Sequence, residues 1–180
     1  MRWASLSIAA LVAHSVCACT DPVHDDAVTA LGSEAPGVPA GPEHRPGQPC
    51  LDCHGQEGPS SFEMSFGGTV YSYRDLEAPL PNATVRIVDA TEHTYETTTN
   101  CAGNFWIPRR EFVPVFPVKA AVSSPGGTSD GTRYRRAMLS NMNRDGNCGG
   151  CHTSPQNAGS PGHIWVLPDG ITVADGGACR

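Results

Sequence analysis

Cys50, Cys53 and His54 near the start of the chain are matched by Cys148, Cys151 and His152 near its end, each trio spaced C-x-x-C-H. The spacing has a chemical use. Two thiols three positions apart can reach the two vinyl groups on one edge of a porphyrin and form thioethers. The next residue then lies under the ring, where an imidazole nitrogen can take an axial iron site. C-x-x-C alone also serves zinc sites and redox thiols. The His after both pairs separates these readings, because with 7 His in 180 residues chance would place both roughly once in a thousand such pairs of motifs. The expectation is two covalent haems c on Cys50, Cys53, Cys148 and Cys151, with His54 and His152 as axial iron ligands. The same residues leave open a structural zinc site of four cysteines, with both His as bystanders.

A haem iron also has a sixth position, whose ligand need not be near in sequence. Met64 lies ten residues after His54 and Met138 ten before Cys148, while His163 follows His152 by eleven. These three are the distal candidates, with Met142 closer to the second motif and His44 a lesser candidate for the first. A Met sulfur opposite His raises the reduction potential, and a second His lowers it. Arg133, Arg135 and Arg136 just before the second motif could pair with propionates or form a solvated strand face.

Elements able to position these groups read as strands. Residues 68–73 are β-branched and aromatic, and residues 83–89 alternate Ala83, Val85 and Ile87 against Thr84 and Arg86. Further strand signals cover 94–99, 104–107, 112–122 and 132–138, with Pro114 and Pro117 pushing part of the fifth to an edge or bulge. No helical pattern exceeds a turn or two. Gly (20) and Pro (16) make up a fifth of the chain, which suits loops and argues against a bundle. The fold expected is all-β: one Ig-like or transthyretin-like sandwich flanked by irregular haem-binding segments.

The chain opens with a targeting pattern: Arg2, then a mostly apolar run over 4–13 that is too short to span a bilayer. Val16, Cys17, Ala18 and Cys19 resemble the lipobox of bacterial lipoproteins, which implies lipidation at Cys19; ordinary secretory cleavage before Cys19 is the alternative. The organisation expected is a signal peptide at 1–18, a disordered tether at 19–48, a first haem-binding segment at 49–66, the sandwich at 67–140, and a second haem-binding segment with its tail at 141–180. Export, to the periplasm or to the outer membrane through an acyl anchor, agrees with covalent haem attachment outside the cytoplasm. Of eight cysteines, Cys17 leaves with the signal, Cys19 takes lipid and four take haem. Cys101 and Cys179 remain, as a disulfide in an oxidising compartment or as two separate thiols. The net charge of −6 gives no electrostatic case for nucleic acid.

Gly68-Thr69-Val70-Tyr71, then residues 79–90 around Pro81-Asn82-Ala83-Thr84-Val85, then 98–105 with Cys101, Gly103 and Phe105, resemble the carboxypeptidase regulatory-like, transthyretin-like β-sandwich family. The likeness spans 67–122 and implies a fold without catalytic residues. The whole arrangement, through Phe66-Gly67-Gly68 and Gly146-Asn147-Cys148, is similar to small exported dihaem proteins of myxobacteria and related delta-proteobacteria.

Together these features suggest electron transfer between a redox-protein donor and a redox-protein acceptor, with no enzyme activity. A lipoprotein module that binds carbohydrate or protein around a zinc site is the rival from another class. A small dihaem redox enzyme is the third reading. No Ser-His-Asp arrangement, phosphate loop or metalloprotease helix is present in the sequence.

Overall fold

The computed structural model describes residues 21–34, 36–174 and 179. The signal-peptide and Cys19 lipidation expectations fall outside them. Among the described residues no helix is long and apolar enough to cross a membrane.

The chain is mostly β, in two sheets. Strands β1 (Met64–Tyr71), β4 (Asn104–Pro108) and β7 (Gly146–Asn147) form the first, in the order β4-β1-β7, and β8 (Ile164–Trp165) also pairs with β1. Strands β2 (Thr84–Val88), β3 (Thr94–Thr98), β5 (Lys119–Ser123) and β6 (Arg135–Ala137) form the second, in the order β3-β2-β5-β6. The β2–β3 hairpin turns at Asp89, whose Oδ1 accepts from the backbone N–H groups of Thr91 and His93. One core draws on both sheets, with Phe66 and Val70 of β1, Phe105 and Ile107 of β4, Val85 and Ile87 of β2 and Val122 of β5. Each such side chain contributes about 1.5–3 kcal/mol through burial.

β1 differs from the alternating pattern expected of a half-buried strand, because all eight of its residues are buried. Phe66 and Val70 face the shared core, and Gly68 lies on the same face by the two-residue period. The opposite face, with Gly67, Thr69 and Tyr71, is covered by the chain around the first C-x-x-C-H. Gly47 donates from its backbone N–H to Thr69 Oγ1 at 2.7 Å, and Cys50 and Leu51 lie against Gly67. The first motif thus serves as the outer cover of the first sheet.

Three features depart from the sequence reading. Residues 19–48, read as a disordered tether, carry the nine-residue helix α1 (Pro22–Ala30). Asp21 caps it by accepting from the N–H groups of Val23 and His24, and Pro22 presets its first turn. None of its residues is buried, so it has no apolar stripe for a periodicity search to find. The second departure lies in residues 112–122, where strand begins only at Lys119, after the cis Phe116–Pro117 bond. The third concerns the expected boundaries of the β region at 67 and 140: β1 starts at Met64, and β7 and β8 come from the second haem segment. Two-residue parallel pairings are too short to leave a pattern in sequence.

Candidate functional site

Both C-x-x-C-H motifs fold as one short helical turn: α2 (Cys50–His54) and α3 (Cys148–Cys151), the latter with His152 at its C-cap. Their construction is shared in detail. The first thiol of each donates to the carbonyl two residues before it, Cys50 to Gln48 at 3.6 Å and Cys148 to Gly146 at 3.5 Å. After each helix a loop returns and offers a carbonyl to the imidazole. His54 Nδ1 donates to Phe62 O at 2.9 Å, and His152 Nδ1 donates to Gly162 O at 2.9 Å. A carbonyl only accepts, so in the neutral ring Nδ1 carries the proton and Nε2 keeps its lone pair. This is the second-sphere arrangement that orients a metal-binding His.

The return loops are themselves braced. Ser60 N–H donates to Cys53 O at 3.0 Å in the first. In the second, Ser160 Oγ accepts from Thr153 N–H at 2.9 Å and donates to Thr153 O at 2.8 Å.

The four motif cysteines are unpaired. Burial pushes the Cys50 thiol up to about 11 and the Cys148 thiol up to about 12, so both remain neutral at physiological pH. Cys151 is exposed. Among the described residues no three His, Cys, Asp or Glu side chains gather as a single bare metal ion would gather them.

A cavity of about 470 Å³ adjoins the first motif and is lined by His44, Cys50, Cys53, His54, Phe62 and Trp106 among others. Its size lies within the range of small-molecule and cofactor sites. Trp106 reaches it from the outer face of β4, being the register partner of Gly67. Two free thiols, an imidazole with a bare Nε2 and apolar walls fit the donor set and surroundings that a covalent haem needs.

The two motifs touch. Asn147 Oδ1 accepts from Leu51 N–H at 3.3 Å, and Asn147 Nδ2 donates to Asp52 Oδ1 at 2.7 Å. Gly149 approaches so closely that a Cβ there would lie 2.3 Å from Gln48 O. Gly67 and Gly68 make room in the same way on the two faces of β1, where an added Cβ would meet Cys50 Cβ and Cys148 Cβ respectively, each at 2.7 Å.

Comparison with protein-family models, curated proteins and solved structures returns no match. The functional reading therefore stands on the chain's own residues.

The distal candidates are dispersed. Met64 lines the first cavity. Met138 extends the β5–β6 ladder, donating from N–H to Ala120 O at 3.0 Å. His163 is buried, its ring 4.5 Å from that of Tyr71 and its Nε2 donating to Tyr73 O at 3.0 Å, while its Nδ1 has no hydrogen-bond partner. Of the arginines, Arg136 lies over the Trp165 ring at 3.2 Å and donates to Val166 O, so it anchors β8 to the second sheet. Cys101 and Cys179 are joined in a disulfide.

The carbonyls of Phe62 and Gly162 and the side chain of Asn147 escaped the sequence reading. A backbone carbonyl has no residue signature, but an Asn immediately before one C-x-x-C-H was a signal available to it.

Proposed function

We propose that the chain is an exported electron carrier holding two covalent haems c, one at each C-x-x-C-H, with the acyl anchor on Cys19. In this reading the two sheets form an Ig-like or transthyretin-like sandwich, as the shared core of β1, β2, β4 and β5 supports. The observation that carries the proposal is the matched pair of imidazoles, each with Nδ1 committed to a backbone carbonyl and each following two cysteines that are unpaired. Bound haem iron supplies one-electron chemistry. The chain's own part is to aim His54 and His152, keep their tautomers, wall the first cavity with Phe62 and Trp106, and hold the two motifs together through Asn147. Contact between the motifs favours exchange within one molecule, and redox proteins are the partners that such a carrier serves.

The test is a haem-stained denaturing gel with a pyridine haemochrome count, on protein matured in a host with c-type assembly machinery. The expected result is covalent haem at close to two per chain. Protein that folds without haem and retains zinc would overturn the proposal in favour of a zinc-stabilised binding module.

A further inference from the structure

We infer that His44 is the second axial ligand of the haem at the first motif, facing His54 across the cavity. The inference rests on the haem reading above.

The ring centres of His44 and His54 are 5.8 Å apart and their planes are inclined by 45°. Two imidazoles that share one metal, each bonded at about 2 Å through nitrogen, place their ring centres roughly 6 Å apart. Axial ligands share an axis and not a plane, so the inclination is no obstacle. His44 is also prepared as His54 is. Its Nδ1 donates to Gly41 O, which leaves Nε2 as the bare nitrogen. Both rings line the cavity that Cys50 and Cys53 also line.

The segment carrying His44 is held by groups that a solvated tether would not need. Asn104 Nδ2 donates to His44 O at 2.9 Å and to Pro42 O at 3.3 Å. Its Oδ1 accepts from Thr69 Oγ1 at 2.7 Å, and Thr69 in turn accepts from Gly47 N–H at 2.7 Å. Asn104 and Thr69 are only 6% and 5% exposed, and buried polar groups on a sheet are costly unless bonded. Their bonding capacity goes into the loop over 42–47. From the other side Arg45 donates to Leu31 O at 3.2 Å and Gly32 O at 2.6 Å, and its Nε pairs with Glu34 at 2.8 Å. His44 is thus clamped between the end of α1 and the start of β4.

A His pair lowers the potential of a haem relative to a His–Met pair and leaves no open coordination position at that iron. Met64, which lines the same cavity, then serves as wall.

The experiment compares wild type with His44→Gly, both first shown to carry two haems per chain by pyridine haemochrome. Carbon monoxide is titrated onto the ferrous protein, and the ferric spin state is read by electron paramagnetic resonance. The expected result is one additional carbon monoxide per chain in His44→Gly and conversion of one haem equivalent from low to high spin. Added imidazole should return the ferric haem to low spin. His44→Met should instead raise the potential of one haem and introduce a methionine–iron charge-transfer band. Two-haem His44→Gly protein with unchanged stoichiometry and spin state overturns the inference and leaves the haem reading intact. Wild type without covalent haem removes both.

Discussion

Asn147 Nδ2 donates to the Asp52 carboxylate at 2.7 Å across 95 residues of sequence, so the residue before the second C-x-x-C-H is bonded to the inside of the first. A hydrogen bond to a charged group contributes about 1.5–3 kcal/mol. Asn147→Ala should lower the midpoint of thermal unfolding by several degrees. In a double-mutant cycle with Asp52→Ala, the coupling should amount to about 1 kcal/mol or more. Additive effects of the two substitutions would show that the bond contributes nothing.

Gly67 and Gly68 give a pair of predictions that differ in address. Gly67→Ala drives a Cβ into Cys50, and Gly68→Ala drives one into Cys148 and Phe105. Overpacking of this kind costs about 1–3 kcal/mol. Mass spectrometry of haem peptides should show Gly67→Ala depleting the first site and Gly68→Ala the second. Equal loss at both sites from either change would contradict the placement.

Asp89 sets an acid limit. Burial alone would raise its pKa, but hydrogen bonds from Thr91, Val115 and His93 reverse that and hold it below the ordinary carboxylate value. A carboxylate with a depressed folded pKa contributes stability that is fully present above about pH 4 and is lost as pH falls through the folded value. Asp89→Ala should therefore be less stable than wild type at neutral pH, with the gap narrowing below about pH 4. Thermal unfolding of both proteins across pH 2–7 (about that range suffices) measures it.

The disulfide closes a loop of 78 residues. The chain-entropy account assigns such a loop about 4.5 kcal/mol, through restriction of the unfolded chain. Cys101→Ala with Cys179→Ala should lower the unfolding midpoint in denaturant while leaving the haem count unchanged. Loss of haem in that variant would mean that the tail is needed to assemble the second motif.

Much of the β architecture was legible because it obeys period two. Val85 and Ile87 are buried and Arg86 is exposed, as alternation in 83–89 predicts. The likeness of the two C-x-x-C-H segments was legible as a repeated spacing, and each folds as one short helical turn. Helix α1 was not, since it buries none of its residues and only its start, Asp21 and Pro22, announces it. The clamp on His44 was equally hidden, being built from an Asn and a Thr on two strands and from main-chain carbonyls. Spacing along the chain points to Met138 and His163 without showing their surroundings, which are a strand ladder for one and the Tyr71 ring for the other. Sequence separation constrains reach and says little about direction.

The back-to-back seating of Cys50 and Cys148 on Gly67 and Gly68 makes β1 a fulcrum. Moving its backbone toward one face would crowd one cysteine as it released the other, so steric resistance acts from both directions at the same two residues. What separates the two cysteines is a single layer of main chain with no side chain in it, and its thickness cannot relax without unseating one of them.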